Sequence, residues 1–209
     1  MPDTRPDARP DTQLTLALAL TIRHDGQGGV ADDLDAPAGL TRWVRQHPDS
    51  LGRVSEDDWQ ADAATLAAVR SLRAAVRALF AHAVSPGEPS PADAGRLLPV
   101  TEALERLNAA AAAVPTVPVL EWREGGEPMS TDRPATPAGT GPHTVAATLA
   151  RAAIGFLAGP DRRSLRACHA PRCVRYFLKE HPRQEWCKPS CGNRARVARH
   201  HERHRAPQP

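Results

Sequence analysis

Cysteine is the residue type in this sequence whose number and spacing most clearly predict chemistry. All four cysteines lie in the last quarter of the chain and form two short pairs, C-x4-C and then C-x3-C, made of Cys168, Cys173, Cys187 and Cys191. Structural zinc is commonly held by two such pairs, because each pair on a tight turn supplies two corners of a tetrahedron. The turn-forming residues that such pairs require are present as Pro171, Pro189 and Gly192.

The same four residues could instead form two disulfides or remain four unrelated thiols. We favour one zinc ion, because nothing in the sequence reads as a secretory signal that would lead to an oxidising compartment. His169 and His181 could replace a thiolate, but four cysteines already complete the ligand set. A metal closed by four thiolates has no open position for water or substrate, so we expect a structural site.

Charge is divided unevenly along the chain. Residues 160–209 hold 13 Lys or Arg against 4 Asp or Glu, a net charge of +9, whereas the other residues hold 14 against 20, a net charge of −6. Four thiolates around one divalent zinc would lower the tail to about +7. A basic tail on an acidic body predicts an anionic partner for the tail, most simply nucleic acid.

The segment after the last cysteine is expected to be a basic helix, since residues 194–204 contain neither Gly nor Pro. Ser190 is a suitable N-cap, which would place Cys191 in the first turn, where the helix dipole favours a thiolate. The helical repeat brings Arg196, Arg199 and Arg203 onto one face, together with His200. Such a helix is either a solvated chain end or a surface that faces phosphates.

These residues resemble a known family. The CGNR zinc finger is named for the tetrapeptide Cys191-Gly192-Asn193-Arg194, and Trp186 directly before Cys187 also fits its pattern. Proteins with this finger usually carry an N-terminal ABATE domain, which the chain resembles at residues 33–37 leading to Leu40 and Trp43, and in the segments 72–77 and 149–153. The resemblance implies a module associated with ligand binding and stress-induced regulation of transcription.

We therefore predict a mainly α protein in three parts. Residues 1–11 would be a disordered arm, residues 12–160 a helical ABATE-like domain with a small β-hairpin, and residues 161–205 a CGNR-type finger ending in the basic helix. Because the body has its own core, we expect loss of one cysteine to unfold residues 160–204 and to leave the body folded.

The resemblance also implies roles for particular side chains. It implies that the finger contacts DNA, and we assign this contact to four arginines of the basic helix, Arg194, Arg196, Arg199 and Arg203. If the body encloses a cavity for an unidentified small ligand, Trp43 and Trp122 are the aromatic residues that we expect near it. The alternative for both tryptophans is packing in the core.

Hydrophobic periodicity predicts the elements of the body. Apolar residues alternate strictly from Leu14 to Ile22, which is a strand period, whereas Leu and Ala individually favour helix, so the segment could be either. A hairpin is predicted from Val117–Glu121 and a return strand near Met129. The predicted helices run over residues 35–47, 56–84 and 143–158, with a further helix that Ser90 caps and Pro99 interrupts or kinks.

No serine, zinc or paired-carboxylate motif of a catalytic kind occurs, so we expect no enzymatic activity. Two classes of protein remain. One is a regulator that binds DNA, with RNA as a variant; the other is a protein-interaction module in which zinc only staples the C-terminus. The apolar stretch 14–22 is too short to span a membrane, and a cytoplasmic location follows by default.

Overall fold

The computed structural model describes residues 9–27, 29–51, 58–93, 95–135, 141 and 143–205. These ranges contain seven α-helices and three antiparallel hairpins. The helices are α1 (Pro10–Ala19), α2 (Pro37–Arg45), α3 (Pro48–Leu51), α4 (Ala63–Val84), α5 (Val100–Ala112), α6 (His143–Ala158) and α7 (Pro189–Arg205). The strands pair as β1 (Ile22–His24) with β2 (Val30–Asp32), β3 (Thr116–Glu121) with β4 (Met129–Pro134), and β5 (Leu165–Ala167) with β6 (Tyr176–Leu178). The predicted fold class is confirmed.

Helix α4 is the centre of the body and contacts α1, α2, α5, α6 and β5. It begins after Asp62, whose carboxylate accepts hydrogen bonds from the backbone N–H and the hydroxyl of Thr65 at 2.7 and 2.6 Å. Such an N-cap satisfies a backbone donor that the first turn leaves open. The aromatic centre of the core lies beside this helix, where the Phe80 ring is 5.4 Å from that of Phe156.

The segment from Leu14 to Ile22, for which the sequence leaves strand and helix both open, is mostly α1, and only Ile22 lies in a strand. Leu14, Leu16 and Leu18 are all buried although they point in different directions around the helix. Contacts with α4 and α6 enclose α1 on more than one side. A helix buried on several faces loses the one-sided stripe by which it is recognised, and the intrinsic preference of Leu and Ala for helix then decides.

Several other boundaries differ from the predictions, and α2 is shorter than the helix predicted over residues 35–47. Of the arm predicted to be disordered, residues 1–8 lie outside the described residues, and Pro10 and Asp11 begin α1. The long helix starts at Ala63 rather than 56, with residues 52–57 outside the described ranges. The segment after Ser90 is only a 3-10 turn, Pro91–Asp93, and Pro99 precedes the helix α5 rather than kinking it. Proline is well accommodated there because its missing N–H is not needed at a helix start.

Two elements were predicted closely. The β3–β4 hairpin is confirmed, with Val119 opposite Thr131 and Glu121 opposite Met129, and α6 spans residues 143–158 as predicted. Among the helices that the structure describes, none combines the length and the apolar character needed to cross a bilayer.

The C-terminal segment does not form a core separate from the body, which differs from our expectation. Leu165, Tyr176 and Leu178 of β5 and β6 are buried in the same cluster as the leucines and phenylalanines of the helices. A second, smaller cluster contains Cys168, Cys173 and Cys191 with Phe177. The hairpin β5–β6 therefore joins the helical core on one side and the cysteine cluster on the other.

Candidate metal centre and basic helix

Short local turns place the four cysteines. Cys168 directly follows β5, and its backbone N–H donates to the carbonyl of Arg175 at 2.9 Å, while Cys173 donates to the carbonyl of Ala170 at 2.9 Å. Cys191 lies in the first turn of α7, as predicted, and its N–H donates to the carbonyl of Lys188 at 3.0 Å. The helix itself begins at Pro189, one residue before the predicted N-cap.

The four sulfur atoms lie within 4.8 Å of one another. The Sγ of Cys187 is 3.7 Å from that of Cys173 and 3.5 Å from that of Cys191. Zn–S bonds of about 2.3 Å at tetrahedral angles place sulfurs about 3.8 Å apart, so the spacing suits one zinc ion. Both histidines that could have replaced a thiolate, His169 and His181, are exposed and lie outside this group. The cysteines are thus positioned to bind one metal ion, in agreement with a single structural Zn²⁺.

Contacts between the sulfurs shift the pKa values of two of the thiols in opposite directions. Hydrogen bonds from Cys173 and Cys187 lower the pKa of Cys168. The hydrogen bond with Cys168 raises the pKa of Cys173. Zinc binds thiolates, so metal binding displaces the thiol protons.

Residues around the cysteines brace the centre. Arg194 donates to the Sγ of Cys191 at 3.1 Å, which places a positive charge beside a thiolate ligand. Trp186 packs against the cysteine cluster, and a Cβ added to Gly192 would lie 3.1 Å from its Cδ1. The glycine of the tetrapeptide therefore lets the indole approach α7. Arg199 lies with its Cζ 5.9 Å from the centre of the Trp186 ring, a cation–π contact that joins the helix to the residue before Cys187.

Helix α7 has a buried side and an exposed, basic side. Cys191 and Ala195, one turn apart, are buried. All four arginines that the sequence assigned to nucleic acid are exposed, namely Arg194, Arg196, Arg199 and Arg203. Arg196 also donates to the amide oxygen of Asn193 at 2.6 Å. The structure thus brings these side chains together along one helix, with Arg194 and Arg199 nearest the metal centre.

A buried polar network anchors β6 to the body, and the sequence analysis missed it. The hydroxyl of Tyr176 donates to Asp93 at 2.7 Å, and the Nε of Arg77 donates to the other oxygen of that carboxylate at 2.7 Å. Burial, followed by the negative charge of Asp93, raises the pKa of Tyr176. Ser90 adds a second link by donating to the carbonyl of Val174 at 2.8 Å. Four buried polar groups therefore tie the metal-bearing hairpin to α4.

A second buried arginine of α4 fixes the β1–β2 hairpin. Arg73 donates to both oxygens of Asp32 at 2.6 and 2.7 Å and to the hydroxyl of Thr21 at 2.8 Å. Burial acts to raise the pKa of Asp32, but the hydrogen bonds from Arg73 and from the backbone of Leu34 outweigh it, so the pKa is lowered. Arg73 and Arg77 are four residues apart inside the apolar stripe of a long helix, and this is the signal by which sequence could have found both networks.

The structure does not bring the two predicted pocket tryptophans together. Trp43 is buried in the core, with its ring 4.4 Å from that of His47. Trp122 is 70% exposed beyond the end of β3, where its Nε1 donates to the carbonyl of Gly126 at 3.1 Å. Core packing, the alternative considered for both, therefore describes Trp43 but not Trp122.

A helical body joined to a four-cysteine metal centre and an exposed basic helix defines a zinc-finger protein. Comparison with known families is more specific. The ABATE family, described as "Putative stress-induced transcription regulator", matches residues 12–160, and the CGNR zinc finger matches residues 164–204. Because the first match covers more than half of the sequence, the chain belongs to the ABATE family. The predicted resemblance to both families is confirmed. A search of curated proteins found no match.

Proposed function

We propose that this protein is a zinc-dependent transcription regulator that contacts duplex DNA through α7. The observation that carries the proposal is the exposed row of arginines on a helix whose first turn belongs to the metal centre. The tail carries a formal charge of +9 on a body of −6. Zinc with four thiolates leaves about +7, so an anionic surface remains the best partner for this end of the molecule.

The shape of α7 suits a duplex. Its 17 residues give a length of about 25 Å, and a single α-helix fits the major groove of B-DNA. Arginine binds phosphate through a planar fork of donors and stays charged at all relevant pH values. Arg196 and Arg203 are the side chains that we assign to phosphates first, because Arg194 and Arg199 also contact Cys191 and Trp186.

The helical body supplies the second half of the proposal, which is sensing of a small ligand. The family description supports a regulator of stress responses. The networks of Arg77 and Arg73 support a mechanical link, since both connect α4 to segments near the metal centre. We propose no catalytic step, because a zinc ion closed by four thiolates keeps no open position, and we retain a cytoplasmic location.

The test is a DNA titration of the zinc-loaded full chain by fluorescence anisotropy at several salt concentrations. Replacing Arg196 and Arg203 by Ala should weaken binding and reduce the log-log salt slope by about 0.9 per lost phosphate contact. Zinc content should stay unchanged, because neither side chain touches a cysteine in the structure.

A matched control removes two exposed arginines from the body, Arg42→Ala with Arg123→Ala. This variant has the same change in net charge and should bind DNA with the slope of the parent. The proposal fails if the α7 variant binds DNA as the parent does at every salt concentration. Tighter binding of RNA than of DNA of the same length would favour the RNA alternative. A protein that binds neither DNA nor RNA would favour docking on another protein.

A further inference from the structure

A cleft of about 360 Å³ lies between the body and the metal centre. Residues 23–26, at the end of β1 and in the turn after it, form one wall. Residues 172–175, just before β6, and residues at the start of α7 form the other wall. The cleft is thus built from both parts of the chain and lies beside the metal centre, with Cys173 and Cys191 also among its lining residues.

Positive charge dominates the lining. Five basic side chains line the cleft against a single carboxylate, and they are Arg23, Arg172, Arg175, Lys188 and Arg194. Three of them are already engaged, because Arg23 pairs with Asp33 at 2.6 Å, Arg194 donates to a cysteine sulfur and Lys188 also has a partner. The guanidinium groups of Arg172 and Arg175 make no hydrogen bond or ion pair with any residue that the structure describes.

The negatively charged groups near the cleft mostly interact with other residues. The one carboxylate in the lining is that of Asp25, whose Oδ1 accepts hydrogen bonds from the backbone N–H groups of Gln27 and Gly29 at 2.7 and 2.9 Å. Zinc with four thiolates has a formal charge of −2, and Arg194 lies directly against one of these sulfurs. An anion bound by Arg172 and Arg175 would not have to displace either of these contacts.

Two donors in this cleft have no acceptor. Within the described ranges, only two buried side-chain nitrogens or oxygens lack a hydrogen-bond partner, the Nε2 of His24 and the Nε of Arg175, and both residues line the cleft. The Nδ1 of His24 accepts a hydrogen bond from the N–H of Gly26 at 2.8 Å, so neutral His24 has its proton on Nε2. Buried donors are nearly always paired. Neither nitrogen is accessible in this structure, so each side chain would have to turn toward the cleft before it could donate to an acceptor bound there.

The backbone of Arg172 adds an independent observation. Its φ is +63°, the one positive value at a non-glycine residue among those described. Glycine adopts this conformation without strain, whereas a residue with a Cβ does not. The sequence nevertheless has a long cationic side chain there, and that side chain lines the cleft.

We propose that the cleft binds a small free oxyanion, either inorganic phosphate or the phosphate group of a small molecule, through Arg172 and Arg175. The inference rests on the ligand-sensing half of the proposed function, for which it supplies the ligand class and the place. A free ion suits the cleft better than a phosphate of duplex DNA, because the lining residues come from two parts of the chain and a small ion can contact both at once. An ion bound to both walls would hold the metal centre against the β1–β2 hairpin.

The test is isothermal titration of inorganic phosphate into the zinc-loaded full chain without DNA, at an ionic strength kept constant with sodium chloride. We expect one phosphate per chain. Arg172→Gly and Arg175→Gln should each weaken binding by about tenfold, the value of one charge-assisted hydrogen bond. Arg172→Gly also guards against misfolding, because glycine relieves the strained backbone at this position.

The matched control is Arg183→Ala, which removes an exposed arginine of the same segment that does not line the cleft. It should bind phosphate as the parent does, and every variant should keep its zinc. The proposal is overturned if phosphate binds no more tightly than chloride, or if both cleft variants bind it like the parent.

A DNA titration of the same variants separates the two proposals. Arg172→Gly should bind DNA like the parent. If the parent binds no free phosphate while both cleft variants lose DNA affinity, the cleft holds a nucleic-acid phosphate and the free-ion proposal is wrong. If phosphate binds as expected but the parent binds no DNA, the proposed function fails and the oxyanion site stands.

Discussion

The two halves of the finger are held in place by different physical means. Residues 164–178 contribute Leu165, Tyr176 and Leu178 to the helical core and are tied to α4 through Asp93. Residues 179–204 add no side chain to that buried core. Cys187, Cys191 and Trp186 instead attach this half to the metal centre.

Zinc therefore attaches the outer half of the finger to the inner half, residues 164–178, which already packs in the core of the body. The presence of zinc is then a condition for the helix to keep its place, whereas the body depends mainly on its own apolar packing and on the buried arginines.

Loss of a cysteine in the outer half should give the largest effect. Cys187→Ser should abolish zinc binding, which contributes an apparent ~10–16 kcal/mol in isolated zinc-finger peptides. Hydrogen exchange followed by peptide mass should show residues 179–205 losing protection while β5 and β6 keep part of theirs. This replaces our expectation from sequence that residues 160–204 unfold together.

Arg183→Ala serves as the control for that exchange experiment, because it alters the same segment without touching a cysteine. Equal loss of protection in β6 and α7 would show that the two halves unfold as one unit and would contradict the comparison.

The inner half should be most sensitive to its buried ion pair. Asp93→Ala leaves the charge of Arg77 buried without a partner, and the side chains of this pair are only 8% and 6% exposed. Breaking such a pair costs about 3–5 kcal/mol, measured as the free energy of unfolding in urea. Zinc content of the folded protein should be unchanged.

Asp33→Ala breaks an arginine pair of similar length whose side chains are 41% and 56% exposed. Exposed pairs contribute about 0–1 kcal/mol to stability. Comparison with this variant therefore shows how much of the loss in Asp93→Ala comes from the burial of the pair. Similar losses for Asp93→Ala and Asp33→Ala would show that the network of Arg77 does not fasten the hairpin.

A smaller effect is expected at Trp186, which covers the cysteine cluster and lies under Arg199. Trp186→Ala should speed the loss of zinc to a chelator, because water reaches the thiolates more easily. The helical signal of the body should stay the same. Trp122→Ala, at an exposed tryptophan outside the finger, is the control. Unchanged zinc loss in Trp186→Ala would mean that the indole does not shield the metal.

The features that sequence predicted well are local ones. The four cysteines and their turn-forming residues lie in one stretch, so their spacing indicates the metal centre. The apolar residues of α6 predict that helix, and Gly125 and Gly126 between two strand-like segments predict the β3–β4 hairpin, although its strands are only half-buried or exposed. Helix α1 could not be told from a strand, because burial on several sides removes the helical periodicity of its apolar residues.

The features that sequence did not predict depend on distant residues. The contact of Tyr176 with Asp93 joins residues 83 positions apart, and no local pattern marks either one. The exposure of Trp122 was also unpredictable from composition, since it follows from the position of a hairpin end. The arginines of α4 were the one sign of the buried networks in the sequence, because charges inside an apolar stripe need buried partners.

The central claim is that zinc holds α7 where it binds DNA, and the most direct test compares DNA affinity before and after chelation. Zinc-loaded protein should bind duplex DNA with a steep salt dependence. Zinc-free protein should lose most of that affinity while the helical signal of the body remains, and restoring zinc should restore binding. Equal affinity with and without zinc, at every salt concentration, would contradict the claim.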